Sequence, residues 1–231
     1  MPSTITGGTN DGTCSSDFGS WDSVRASGGA NVSNITLTRD ANALRFIYAT
    51  RRGTHRLYRA FFEFDTSSIS VTPTEATLKI HGHGGITLLD CIVVGSNQHP
   101  TLVAADFNNL EGSGTAPTAA TQLAASDGSG AGTLASVPGL TYSAAFTGWD
   151  NGDTNEIDLN ASALHAIEVL DTFKVCIMEY DHDYLDIDGG TSSTIGMYFA
   201  DMADPAFNPV IVYEPGTAAV TDNATFFGAN F

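Results

Sequence analysis

Tyr58-Arg59-Ala60-Phe61-Phe62-Glu63-Phe64-Asp65-Thr66-Ser67-Ser68-Ile69 decides the fold of this chain. Side chains alternate along a strand, so Tyr58, Ala60, Phe62 and Phe64 share one face, and Arg59, Phe61 and Glu63 the other. Asp65-Thr66-Ser67-Ser68 is turn-like, and Asp65 is expected to hold that turn by accepting from backbone N–H groups rather than to do chemistry. Past the turn, Ala76, Leu78 and Ile80 alternate with Thr77, Lys79 and His81. Gly82-His83-Gly84-Gly85 predicts a break, and the apolar run 86–94 reads as a strand buried on both faces. Further strands are expected at 35–38, 43–48, 133–137, 140–146, 156–159, 173–180, 195–200 and 209–214. Phe62, Phe64, Leu78, Ile80, Val175 and Ile177 are expected to face one interior.

Helix signal is scarce. Asn160 can cap a helix carrying Leu164, Ile167 and Leu170, and 104–110 can form one turn. The small, polar stretch 111–132 reads as a long surface loop. Many short strands with glycine-rich turns predict an all-β fold. The expected architecture is a jelly-roll-like antiparallel β-sandwich with one or two short helices and extended termini. Residues 1–16 would form an N-terminal arm, 17–214 the sandwich and 215–231 an aromatic C-terminal tail.

The chain has 231 residues, of which 42% are hydrophobic, enough for a substantial core, and 15% charged. Nine Lys and Arg against 26 Asp and Glu leave a formal net charge of −17. That balance argues against nucleic acid and anionic membranes as partners. The charge is uneven: residues 1–79 carry eight basic and seven acidic side chains, whereas residues 80–231 carry Lys174 alone against nineteen acidic ones. Six of the nine basic residues lie between Arg39 and Arg59. Either the acidic surface is solubilising, or an arginine-bearing edge, with Arg51, Arg52 and Arg56, meets an acidic neighbour such as a second copy. The N-terminus shows no basic and apolar signal-peptide pattern. Cys14, Cys91 and Cys176 are odd in number and widely spaced, which predicts buried thiols rather than a disulfide framework.

Arg59-Ala60-Phe61-Phe62-Glu63-Phe64-Asp65-Thr66-Ser67-Ser68-Ile69, followed by Glu75-Ala76-Thr77-Leu78-Lys79-Ile80, resembles the "R-x-φ-φ-x-F-D-φ-S-S-I … A-T-L-x-φ" stretch of DNRLRE-type β-sandwich modules. Pro209-Val210-Ile211-Val212-Tyr213 stands where those modules place their last strand. The resemblance implies a jelly-roll-like module related to carbohydrate-binding modules, spanning roughly residues 17–214. Related sandwiches occur in structural proteins of tailed bacteriophages. With no signal pattern, no attached enzyme and an unusual tail, the expectation is a virion structural protein, a capsid decoration or fibre-type subunit made in the host cytoplasm. It would contact other virion proteins or copies of itself. The alternative is a carbohydrate-binding module or adhesin that recognises a surface glycan.

Four candidate sites follow from residue chemistry. Asp181, Asp183, Asp186 and Asp188 crowd four carboxylates into eight residues and could supply oxygen ligands to Ca²⁺, the one cofactor these residues suggest. The competing reading is a solvated acidic turn. His81 and His83 share a strand face at a spacing that suits a metal, but the sequence offers no third ligand, and an exposed polar strand end is the plainer reading. Trp149 beside Asp150 and Asp153 could stack on a sugar ring in the glycan alternative; equally it could be a core or rim aromatic. Phe226, Phe227 and Phe231 make a tail costly to leave in water, at roughly 25 cal/mol per Å² of apolar surface, which predicts docking onto the domain or a partner. No G-x-S-x-G elbow, P-loop or H-E-x-x-H occurs, and the chain reads as a non-enzyme.

Overall fold

The computed structural model describes residues 1–26, 29, 31–33, 38–47, 53–87, 89–110 and 140–217. Arg51, Arg52, Phe226, Phe227 and Phe231 lie outside the described residues, as do the loop at 111–132, the strand expected at 133–137 and residues 35–37. The strands are β1 (Ser3–Thr6), β2 (Gly12–Phe18), β3 (Asn31–Ser33), β4 (Arg39–Ile47), β5 (His55–Asp65), β6 (Glu75–Thr87), β7 (Cys91–Gly95), β8 (Thr154–Asp158), β9 (Thr172–Glu179), β10 (Ser193–Tyr198) and β11 (Val210–Glu214). Two α-helices, α1 (Trp21–Ala26) and α2 (Ala161–Val169), accompany 3-10 turns at Ala104–Asn108 and Pro205–Phe207 and a π-turn at Tyr180–Tyr184.

The strands form two antiparallel sheets packed as a sandwich, an all-β fold as expected. The first runs β1-β11-β6-β8. The second is built around β5. One edge of β5 pairs with β2, which carries β3 beyond it. Its other edge pairs first with β4 and then with β9, and these extend to β10 and β7 respectively.

β6 belongs to both sheets. Residues 75–81 pair with β11 and β8, and Gly82, Gly85 and Thr87 pair with β10. The glycine run therefore does not end the strand, as its composition suggested, but lets it bend from one sheet into the other. A Cβ at Gly82 would sit 1.9 Å from the Asp150 carbonyl oxygen, and Gly85 has φ +120°, open to glycine alone at no strain. The apolar run 86–94 divides instead, with β6 ending at Thr87 and β7 starting at Cys91.

Alternation along β5 sorts two cores onto its two faces. Phe62, Phe64, Leu78, Ile80, Val175 and Ile177 are all fully buried in the layer between the sheets, as the period-two pattern predicts. Burying one such side chain is worth about 1.5–3 kcal/mol. Leu57, Phe61, Cys176 and Met178 face the other way, into a second core closed by Trp21 and Val24 of α1, Phe107 and Tyr184. The second sheet is thus buried on both sides.

The expected arm, residues 1–16, is woven into the sheets. β1 pairs with β11 from Ser3↔Tyr213 to Thr6↔Val210, and β2 pairs with β5 along its whole length. β2 shows little apolar alternation because three of its five buried positions, Thr13, Ser15 and Ser16, are small and polar. Helix α2 starts at Asn160, whose Oδ1 accepts from the N–H groups of Ser162 and Ala163. Asp65 Oδ1 accepts from the N–H and hydroxyl of Ser67, at 3.1 and 2.6 Å, so it holds the turn. That bonding, side chain first, lowers the Asp65 carboxyl below the usual range.

Candidate functional site

β9 ends at Glu179, whose buried carboxylate accepts from the N–H groups of Asp181, His182 and Asp183 at 3.0, 2.7 and 2.8 Å. It also accepts from His182 Nδ1 at 2.9 Å. Burial pulls the imidazole down, but the bond to Glu179 and the negative charges beside it hold His182 above the ordinary histidine value. The π-turn so formed carries Asp183 inward, to 1% exposure. There Arg59 grips both carboxylate oxygens, Nε to Oδ2 at 2.7 Å and Nη2 to Oδ1 at 2.6 Å. The same guanidinium donates to the Phe107 carbonyl and to Asn108 Oδ1, and lies 3.9 Å from the centroid of the Phe107 ring. Arg25 of α1 donates from Nε to the Asp183 carbonyl at 2.8 Å and pairs with Asp186 at 3.2 Å. Trp21 Nε1 donates to Asp186 Oδ1 at 2.9 Å. Asp186 has φ +57°, rare for a residue with a Cβ, and its side chain is held from both sides in that conformation.

This geometry redirects the calcium expectation. Asp183 and Asp186 are taken by arginines, Asp181 is exposed on the surface, and Asp188 points to His55 at 3.7 Å. The four aspartates do not converge on a common point. Among the described residues no group of three or more His, Cys, Asp or Glu side chains is arranged to hold a metal ion. The acidic run fastens α1 and the Ala104–Asn108 turn to the second sheet. The roles of Arg25 and Arg59 were not legible in the sequence because their partner, Asp183, lies more than 120 residues away.

The proposed sugar-stacking residues separate as well. Trp149 is 1% exposed and belongs to the core between the sheets, edge-on to Phe146, so it presents no face to a ligand. Asp150 and Asp153 are exposed and accept from the N–H groups of Gly152 and Thr154, building the turn into β8. Asn155 ties that turn by accepting from Asp150 N–H at 2.7 Å and donating to the Asp150 carbonyl at 2.9 Å. Arg56 of the arginine edge pairs with Asp17 at 3.2 Å, its neighbour across β2 and β5. The three thiols are free and buried, and burial pushes each well above the ordinary cysteine value.

His81 and His83 gain partners that sequence spacing could not reveal. Ile80 points into the core, so His81 and His83 stand on the outer face of β6. Tyr198 closes β10, and Phe207 closes the turn Pro205–Phe207, whose start is capped by Asp204 accepting from Ala206 N–H at 3.0 Å. The Tyr198 and Phe207 rings stack 4.6 Å apart at 18°. His81 meets both edge-on, at 5.4 and 4.6 Å, and His83 meets Tyr198 at 4.9 Å. All four rings are half-buried. His81 Nδ1 donates to the Gly82 carbonyl at 3.0 Å, which leaves Nε2 the acceptor in the neutral ring. Burial, and then the Arg39 cation, lower the pKa of His83 below the ordinary histidine value. Arg39 is the register partner of Tyr198, and Asp40 that of Met197.

A buried carboxyl lies outside all of these. Asp11 is 1% exposed, and its Oδ2 accepts from Ala200 N–H at 2.6 Å. Burial, opposed by that bond and reinforced by the charges of Asp201 and Glu63, pushes Asp11 up to about 7. No family model matches the chain, and no curated protein matches it either.

Proposed function

We propose that this chain is a non-catalytic structural subunit of a virion, of capsid-decoration or fibre type, which works through protein–protein contacts. The observation that carries the reading is the use made of the charged interior. Arg25, Arg59, Asp183 and Asp186, the groups from which a reactive centre would most readily be built, are spent on fastening one layer to another. Such an arrangement favours a rigid scaffold over a site that must change protonation or open to substrate. The sequence resemblance and the β-sandwich fold support the same reading, although a fold alone never fixes function.

Quantitative mass spectrometry of particles purified from a lysed host culture tests it. The chain is expected at a fixed, stoichiometric copy number relative to the major particle proteins. Its recovery only in the particle-free fraction would overturn the assignment.

A further inference from the structure

We infer that the side chains of Lys174 and Asn10 join in an intramolecular amide bond, with Glu63 as the catalytic residue of that single step. This goes beyond a structural role and does not rest on the chain's residing in a particle.

Glu63 on β5 lies directly opposite Lys174 on β9, so both side chains leave the same face of the second sheet. Residues 7–10 run along the other edge of β5, where Gly8 N–H donates to the Glu63 carbonyl at 2.8 Å. Asn10 follows, buried, and its side-chain amide is held at both ends. Oδ1 accepts from Leu102 N–H at 2.7 Å, which draws electrons from the amide carbon. Nδ2 donates to Glu63 Oε2 at 3.0 Å and to the His99 carbonyl at 2.8 Å. Lys174 Nζ donates to the Gln98 carbonyl at 2.8 Å, so nucleophile and leaving amide hang from successive carbonyls. The buried Gln98 side chain closes the group by donating to the Asn10 carbonyl at 2.8 Å. Neighbouring strands lie ~4.8 Å apart, which puts the two flanks of β5 about 10 Å apart. The four-carbon stem of a lysine and the short arm of an asparagine together span that gap.

An ion pair alone would turn Lys174 and the Glu63 carboxylate toward each other. Here the carboxylate is turned to an amide whose oxygen already meets a donor, the arrangement that acyl transfer needs. Lys174 gives a proton to Glu63, and Nζ attacks Asn10 Cγ. The oxyanion forms against Leu102 N–H. Glu63 passes its proton to Nδ2, the Cγ–Nδ2 bond breaks and the new Cγ–Nζ bond remains. Ammonia departs with the second proton that Nζ loses, as ammonium. Nothing is oxidised or reduced. The product ties the segment before β2 to β9 across β5.

The test uses the purified full-length chain, denatured after folding. Mass spectrometry should find it lighter than its sequence by one ammonia, with or without Met1. Lys174 is the one Lys or Arg beyond Lys79, so trypsin should cut 80–231 once. Linkage removes that cut and leaves Met1–Arg25 attached to 80–231. Lys174→Arg keeps the charge without the amine and should restore both the full mass and the loss of attachment. Glu63→Gln still accepts from Asn10 but carries no proton across, and should slow linkage about a hundredfold. Lys79→Arg, in the first sheet, should link as the parent does. A parent chain of full mass that is cut after Lys174 overturns the inference. So does a lost ammonia with that cut intact, which marks a cyclised asparagine such as Asn151 before Gly152. Linkage at the parental rate in Glu63→Gln overturns it as well.

Discussion

The two faces of the second sheet bury their side chains by different means. Toward the first sheet, Ala60, Phe62, Phe64, Val175 and Ile177 make an apolar layer. On the opposite face, one residue out of step along the same strands, Phe61, Cys176 and Met178 surround a fully buried Arg59. Hydrophobic burial is non-directional, so the inner layer specifies what is inside without fixing which atom meets which. A guanidinium held in a fork by one carboxylate has a single good geometry. The outer face therefore has a fixed address for each piece laid on it: α1 through Arg25, the π-turn through Asp183, and the Ala104–Asn108 turn through the Phe107 carbonyl.

The largest expected effect tests this contrast directly. Arg59→Met removes both close bonds to the buried Asp183 carboxylate, leaving it only the Arg25 guanidinium at 3.8 Å, and should cost about 3–5 kcal/mol in urea unfolding at pH 7. Phe62→Leu on the inner face should cost only about 1 kcal/mol. The double variant Arg59→Met/Asp183→Leu should recover most of the loss, since it leaves no unpaired charge. Equal costs for Arg59→Met and Phe62→Leu would dissolve the distinction between the faces.

Asp11 probes the opposite situation, a buried carboxyl with no cation paired to it among the described residues. Its pKa rises from 3.8 to about 7 on folding, so the folded state keeps a proton that the unfolded chain releases. Stability should fall as pH climbs from 3.8 to about 7, with the full penalty present above that. Asp11→Asn should then stabilise the protein by up to about 4 kcal/mol at pH 8 and change little below pH 3.8. Urea titrations at both ends of the range check the sign.

A smaller effect belongs to the inner side. Asn160→Ala removes the cap of α2 and should cost about 1 kcal/mol, additively with Arg59→Met because the two share no partner. The smallest is a matter of order alone. As pH falls, His182 should take up its proton before His83, since Glu179 favours the cation in one while burial and Arg39 oppose it in the other. The raised value at His182 contributes stability that is complete below 6.5 and is lost as pH rises through its folded value. NMR of the imidazole protons reads both titrations.

What could be read in the sequence follows from these same causes. Period-two alternation is local, so it located β5, β6 and β9 and the residues of the inner core. The turn held by Asp65 and the cap at Asn160 were legible for the same reason: each bonds within three residues of itself. β2 escaped notice because buried threonine and serine carry no hydrophobic signal. The acidic run 181–188 was visible as a cluster, but its meaning lay in Arg59 and Arg25, more than 120 residues away. Trp149 stayed open between a sugar-stacking and a core or rim reading because Asp150 and Asp153 follow it, and a turn can expose its carboxylates while its aromatic faces inward. The ring patch joins two histidines to a tyrosine and a phenylalanine more than 110 residues downstream, a distance that no spacing rule bridges.

β6 has a consequence for how the molecule comes apart. Residues 75–81 of β6 are registered with the first sheet, the Gly82 amide still donates to the Asp153 carbonyl beside β8, and Gly82, Gly85 and Thr87 are registered with β10 of the second sheet. Neither sheet can melt from its edge inward without dragging on a strand the other still needs. Partial opening of one layer is therefore closed off as a route. The chain should unfold in a single cooperative step, with the slowest-exchanging amides of both sheets reporting the same free energy of opening.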